Sequence, residues 1–211
     1  MLKKLLADEL RRRYFGVNPN PVQIGVYRPS VLSWSCVRRQ YNYYSEFAGK
    51  SPDEIPDEVV LLLGGGIVFH RMVQALEFQG QPFWDNVEVE CKLEVALPSG
   101  NILIVGHADC IRNNEVYELK YTQRVPSKPH FQHILQLNFY LGALQKQKGW
   151  LVYCGPSTEG GLQIREFPHI FSEWHLEHLI TRAQTLDLLL RNKTPPRCSC
   201  SDKRHETGNI F

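Results

Sequence analysis

Ile102-Leu-Ile-Val-Gly-His-Ala-Asp-Cys-Ile-Arg-Asn-Asn-Glu-Val-Tyr-Glu-Leu-Lys-Tyr121 is the stretch on which the reading of the chain turns. Ile102 to Ile111 is an apolar strand pattern, Asn113-Asn114 marks a tight turn, and Val116 to Tyr121 is a second strand, so the segment predicts an antiparallel hairpin. Side chains alternate along a strand, which puts Glu118 and Lys120 on one face and Tyr117, Leu119 and Tyr121 on the other. The turn then folds Asp109 back beside Glu118. Two carboxylates and an ammonium in one small area suit a hard divalent cation, Mg²⁺ or Mn²⁺, which takes oxygen ligands and stays partly hydrated. Water on such an ion, next to Lys120, can be deprotonated to attack a phosphodiester while the cation neutralises charge on the phosphate oxygens. Taken alone, a Glu-x-Lys with an Asp upstream is usually an exposed ion pair on a strand.

The flanking sequence adds to the pattern. Upstream, Val87, Val89, Leu93, Val95 and Leu97 alternate with Glu88, Glu90 and Glu94 before a turn at Pro98-Ser-Gly-Asn101, extending the hairpin into a meander. Gly64-Gly65-Gly66 reads as the opening of a helix, Ile67 to Phe78, with His70 near its start as a possible nitrogen ligand. Downstream, a helix over His130 to Gln147 presents Gln136 and Tyr140 one turn apart on one face. A short apolar strand, Trp150 to Cys154, a Gly/Pro loop and a helix from about Ser172 to Arg191 follow, then Thr194-Pro-Pro and a cysteine-bearing tail. At the other end stand a basic helix, Leu2 to Tyr14, a loop at Gly16 to Pro21, a short helix carrying Cys36 that Ser30 or Ser33 could cap, and an exposed acidic stretch, Ser51 to Glu58. Helices, meander, helix, strand, helix is the order of a mixed α/β core with its sheet covered by helices.

Bulk properties exclude other classes. With 211 residues, 43% hydrophobic and 22% charged, the chain is that of a globular protein of one domain with at most a small appendage. No apolar run nears the roughly 18 residues of a bilayer span, and the N-terminus is amphipathic rather than signal-like, so a cytoplasmic protein without a membrane partner is expected. Six cysteines in such a setting point to metal ligation or burial, not a disulfide framework. Charge is uneven: residues 1 to 39 carry eight Lys and Arg against Asp8 and Glu9, a net +6, which leaves −4 for the remainder of a chain of net +2. The basic end is either a solvated helix face or a phosphate-binding surface.

The ordered set Gly66-x-x-x-His70, Gly106-x-x-Asp109, Glu118-x-Lys120 and Gln136-x-x-x-Tyr140 is similar to the PD-(D/E)xK nucleases of the RecB type. With Ser35-Cys36-x-Arg38-Arg39-x-Tyr41-x-Tyr43 near the start and Cys198-Ser-Cys200 in the tail, the chain resembles the CRISPR-associated Cas-four nucleases over most of its length. The resemblance implies a restriction-endonuclease-like core at 61–192, between an N-terminal helical segment, 1–60, with one cluster cysteine and a tail, 193–211, packed against it. It implies that His70, Asp109, Glu118 and the backbone carbonyl of Leu119 hold Mn²⁺ or Mg²⁺, that Lys120 orients or activates the attacking water, and that Gln136 and Tyr140 position Lys120 and the DNA backbone.

It further implies a nuclease acting on single-stranded DNA or DNA ends in CRISPR spacer acquisition, with integrase subunits as partners and an iron–sulfur cluster joining the termini. Relatives offer four cysteines, three of them in the tail, whereas this tail has two. His205 is the first candidate for the fourth ligand beside Cys36, Cys198 and Cys200; Cys91, Cys110 or Cys154 could substitute only if the fold brings one close, and a labile cluster, a zinc ion or no metal are the alternatives. Arg38, Arg39, Tyr41 and Tyr43, with Tyr44, suit a single-strand path, cations along phosphates and rings on bases, or else form a packed aromatic face. Two competing functions stand beside this one: a non-catalytic nucleic-acid-binding subunit, and a viral or repair exonuclease of the same superfamily.

Overall fold

A computed structural model describes residues 2–12, 23–47, 56–98 and 100–198. In chain order these form α1 (Leu2–Leu10), β1 (Val26–Tyr27), α2 (Pro29–Leu32), α3 (Val37–Asn42) continuing into a π-helical turn at Tyr43–Phe47, α4 (Asp57–Gln74), β2 (Glu77–Phe78), β3 (Gln81–Pro82), β4 (Asn86–Val95), β5 (Ile102–Arg112), β6 (Glu115–Tyr121), α5 (Phe131–Ala143), β7 (Lys148–Pro156), β8 (Leu162–Ile170) and α6 (Glu173–Arg191). The β5–β6 hairpin turns at Asn113 and Asn114, both in the left-handed region (φ 49° and 67°), which a two-residue turn of this twist requires and Asn tolerates.

The main sheet runs β1, β5, β6, β7, β8, with β4 on the second edge of β5. β4–β5, β5–β6 and β7–β8 are antiparallel; β1–β5 and β6–β7 are parallel. A parallel β6–β7 pair needs a crossover, and α5 supplies it. Side-chain alternation then divides the core. Ile102, Ile104, Ala108, Val116, Leu151 and Tyr153 pack with α2, α5 and α6 on one face, while Cys110, Leu119, Val152 and Cys154 meet Phe69 of α4 on the other. Both faces are covered, as the mixed α/β reading requires. β1 and α6 are tied across the first face, where Tyr27 donates to Asp187 (2.7 Å) and Asp187 also accepts from Arg191 (2.6 Å).

Three local expectations are corrected. The glycine triplet does not open a helix: α4 starts at Asp57, after Pro56, with Asp57 and Glu58 in its first turn where carboxylates complement the helix dipole, and ends at Gln74. Neither Ser30 nor Ser33 caps α3, whose N-cap position is Cys36 itself. The Gly/Pro loop after β7 is short, and the residues between it and α6 form a strand, β8, the last strand of the sheet, where Pro168 is tolerated because an edge residue need not donate. Within α4, Gly66 has nothing within 4 Å of where a Cβ would stand. Gly66→Ala should therefore stabilise the fold by about 0.5–1 kcal/mol, read as a thermal midpoint higher by roughly 1–4 °C.

Candidate active site at a fork in the sheet

β5 has one edge on β4, but its other edge is shared. β1 pairs with Leu103 and Ile104, β6 pairs with Cys110 to Arg112, and Val105 to Asp109 between them have no strand partner on that side among the described residues. β6 meanwhile stays with β7 as far as Tyr121. The sheet thus forks, with Asp109 on one prong and Glu118 on the other. The β4–β5 ladder is interrupted at the same level, at Glu88 and Asp109, and Glu88 there takes a φ of 50°.

Asp109 is held from three directions. Its Oδ2 accepts the Leu119 N–H (2.7 Å), its Oδ1 lies 3.1 Å from His70 Nδ1, and its backbone carbonyl accepts from Gln74 Nε2 (3.1 Å). His70 and Gln74 are one turn apart on α4, so a single helix face clamps this residue. Gln74 was not singled out by the sequence, since an amide in a helix carries no distinguishing signal.

On the other prong, Glu118 is fully buried. Its Oε1 meets Lys120 Nζ at 2.5 Å, Lys120 donates to Gln136 Oε1 (3.0 Å), and Gln136 Nε2 donates to Tyr140 Oη (3.0 Å). One hydrogen-bonded chain therefore runs Glu118–Lys120–Gln136–Tyr140, from the strand to α5. Glu118 Oε2 is buried with no hydrogen-bond partner. A buried carboxylate oxygen left unpaired is costly unless something charged completes it.

Electrostatics follow from this crowding. Burial raises the Glu118 pKa and the nearby Asp109 charge raises it further, against the pull of Lys120. Burial works against the Lys120 ammonium, but Glu118 and Asp109 outweigh it and hold the proton on. Burial likewise opposes the charged form of His70, and the Asp109 contact reverses the sign, so its pKa is raised. A site where protons are drawn to carboxylate and imidazole alike is short of positive charge.

The donor set, two carboxylates and an imidazole with one carboxylate oxygen unspent, fits a hard cation. Among the described residues no three His, Cys, Asp or Glu side chains form a ready coordination cage, and His70 and Asp109 are engaged with each other. A second cluster, not anticipated, lies beside Lys120: Tyr153 Oη accepts the His130 N–H (3.1 Å) and lies 2.8 Å from His133 Nδ1. Burial and the Lys120 charge push His133 down to about 3, so it is neutral and serves to fix Tyr153.

Cys36 and Cys198, 162 residues apart, lie with Sγ atoms 3.5 Å from each other, and Arg38 donates to Pro196 O nearby (3.3 Å). That separation far exceeds the roughly 2.05 Å of a disulfide and is close to the about 3.8 Å edge of a tetrahedron of thiolates bound at about 2.3 Å. Cys200 and His205 lie outside the described residues. Cys91, Cys110 and Cys154 are buried in the two sheet clusters, to which Cys36 does not belong, and burial raises the thiols, Cys91 to about 11 and Cys110 to about 12. They act as small hydrophobes.

Of the residues expected to line a single-strand path at the N-terminal end, the aromatic ones are packed against protein. Tyr41 and Tyr44 are core residues, Tyr43 packs edge-on against Trp34, and the Arg39 guanidinium lies over the Trp34 ring, 4.3 Å from its centroid. The packed aromatic face is what forms. Basic residues of α1 and of the turn directly after it are likewise engaged by protein carboxylates, with Lys3 on Glu58, Arg11 on Asp8 and Asp57, and Arg12 on Glu9.

The mixed sheet flanked by helices has the restriction-endonuclease-like fold. The chain is similar in structure to SSO0001, with a TM-score of 0.67, 21% identity, all of this chain and 94% of that one covered. It is also similar to LHK-Exo in complex with dAMP, with a TM-score of 0.50, 14% identity, and 81% and 90% of the two chains covered. No profile of a known protein family and no curated protein matches the sequence. Among the described residues no helix is long and apolar enough to cross a membrane.

Proposed function

We propose that the chain is a metal-dependent deoxyribonuclease of the RecB and Cas-four type, hydrolysing single-stranded DNA or DNA ends. The observation that carries this reading is the unpaired Glu118 Oε2 at the fork, flanked by Asp109, His70 and the Lys120–Gln136–Tyr140 chain. Glu118, Asp109, His70 and the Leu119 carbonyl are the residues that would hold Mn²⁺ or Mg²⁺, which supplies charge neutralisation at phosphate and a more acidic bound water. Lys120, fixed between Glu118 and Gln136, holds its ammonium where negative charge builds on the attacked phosphate. Gln136 aligns Lys120, and Tyr140 aligns Gln136. LHK-Exo, whose fold this chain shares, was crystallised with a nucleotide, which supports nucleic acid as the substrate class.

The test is cleavage of single-stranded and overhang-bearing DNA by the purified protein with Mn²⁺ or Mg²⁺ and with EDTA. Cleavage restricted to the metal-containing reactions is expected; salt-sensitive binding without any hydrolysis would instead establish a non-catalytic binding subunit. The CRISPR spacer-acquisition role, with integrase subunits as partners, belongs to the same proposal.

The Cys36–Cys198 pair supports a metal centre at the joined termini, with Cys200 and His205 as the further ligands of an iron–sulfur cluster. Anaerobically purified protein is expected to be brown, with iron and sulfide in stoichiometric amounts, and Cys36→Ala to be colourless and iron-poor. Colourless, iron-free parent protein would remove the cluster from the proposal while leaving the nuclease carboxylates untouched.

A further inference from the structure

The unpaired edge of β5 does more than expose Asp109. A cavity of about 610 Å³ opens along it, lined by Arg28, Ser30, Lys92, Gly106, His107 and Tyr140 among others. Its position follows from the register: Tyr27 is the last residue of β1 and pairs with Ile104, so the chain leaves the sheet at Arg28 just where Val105 to His107 lose their neighbour. Asp109, two residues beyond His107 on the same unpaired edge, is the catalytic prong. Tyr140 joins the two places directly, being in the cavity wall and two hydrogen bonds from Lys120 through Gln136.

The construction of the cavity is specific. Gly106 lets its walls close in: a Cβ there would fall 2.7 Å from Pro29 Cγ and 3.0 Å from Tyr140 Cε1. The Arg28 N–H donates to Tyr44 Oη (2.7 Å), which fixes the backbone from which the Arg28 side chain extends. Lys92 is tied to Glu90 (2.7 Å), while Arg28, Ser30 and His107 are exposed polar groups. Rings of Tyr27, Tyr44 and Tyr140 with Pro29 and Val26 supply apolar wall. An apolar wall with a guanidinium at hand matches a base or sugar with one phosphate. The volume is in the range of small-ligand sites, roughly 300–1,000 Å³. It is too small for a duplex, and the buried tyrosines Tyr27 and Tyr44 close it on the core side.

We infer that this cavity is a nucleoside-monophosphate site, seating the terminal unit of a strand whose adjoining phosphodiester lies at the fork, with Arg28 on the terminal phosphate. The inference rests on the nuclease reading and adds to it a preference for ends. The same chemistry is offered by a released mononucleotide, and the experiment separates the two.

Fluorescence anisotropy in EDTA measures binding of an oligonucleotide phosphorylated at its 5′ end, at its 3′ end or at neither, labelled away from the phosphate, to the full chain and to Arg28→Gln. One phosphorylated end is expected to bind about 10-fold tighter than the unphosphorylated strand, the worth of a charge-assisted contact. Arg28→Gln should erase that difference with an unchanged thermal midpoint. Competition by dAMP against the parent but not against Arg28→Gln adds the free product as a second occupant; its absence confines the site to strand ends. Equal binding of all three strands, unaltered by Arg28→Gln, overturns the inference. Because no metal is present, that failure is distinct from a failure to cleave, which would overturn the nuclease reading instead.

Discussion

Lys120→Ala is expected to lower metal-dependent DNA cleavage by at least about 100-fold, the usual cost of removing one preorganised charge from a reacting phosphate or acyl group. Glu118→Gln should do the same by a different route, since it removes the charge that both an ion and Lys120 require. The stability of Lys120→Ala carries a second, independent readout. In the parent, Lys120 is the contact that offsets burial and the Asp109 charge at Glu118. Without it the folded-state pKa of Glu118 rises further above its unfolded value. A raised carboxyl stabilises the fold fully below its unfolded pKa, and that contribution is lost as pH climbs through the folded value. The thermal midpoint of Lys120→Ala should accordingly approach that of the parent near pH 5 and fall well below it at pH 8. Full cleavage by the variant would remove Lys120 from the chemistry; a pH-independent difference in midpoint would mean that Glu118 is not held as the geometry implies.

The hairpin that carries these residues was legible because its signals are local: two asparagines able to take positive φ, and alternation that sets Glu118 and Lys120 apart from Leu119. The face assignment follows from the same period, and Leu119 indeed packs with Phe69 while Lys120 reaches Gln136. The fork was not legible. It arises because a strand of only two residues, β1, takes part of an edge that β6 takes elsewhere, and nothing in Val26-Tyr27 distinguishes such a strand from loop.

Gly64 misled for a related reason. A glycine run reads as a boundary, yet here one of its members serves contact within α4: a Cβ on Gly64 would fall 2.5 Å from Leu10 Cδ1 of α1. His70 nevertheless reached Asp109, because the spacing within the helix survives an error in where the helix begins. Tyr41 and Tyr43 show the limit of composition, since a ring that stacks on a base and a ring that packs a core have the same sequence signature. The meeting of Cys36 with Cys198 depends on α3 lying against α6, a long-range contact that only the folded chain displays.

Gly155→Ala should be the most damaging single methyl in the fold. β7 stands between β6 and β8, and at its end the Thr122 N–H donates to Cys154 O (2.8 Å). A Cβ on Gly155 would fall 2.1 Å from Thr122 O and 3.3 Å from Val125 Cγ2. The first of these is backbone, with no side-chain rotation to relieve it, so the chain at Thr122 must move. Overpacking of this kind costs about 2–4 kcal/mol, which lowers the thermal midpoint of a domain this size by roughly 5–15 °C. Thr122 is two residues beyond Lys120, directly after the end of β6, the strand that sets the Glu118–Lys120–Gln136 geometry, so the displacement is delivered close to the candidate site. Cleavage by folded Gly155→Ala, measured below its transition, should fall by about 10-fold or more, since a shift near 1 Å in a reacting constellation suffices for that. Gly66→Ala, with open space at its Cβ, is the matched comparison and should raise the midpoint. An unchanged midpoint for Gly155→Ala would show that the β6–β7 end yields freely, and the rigidity argued for Lys120 would fall with it.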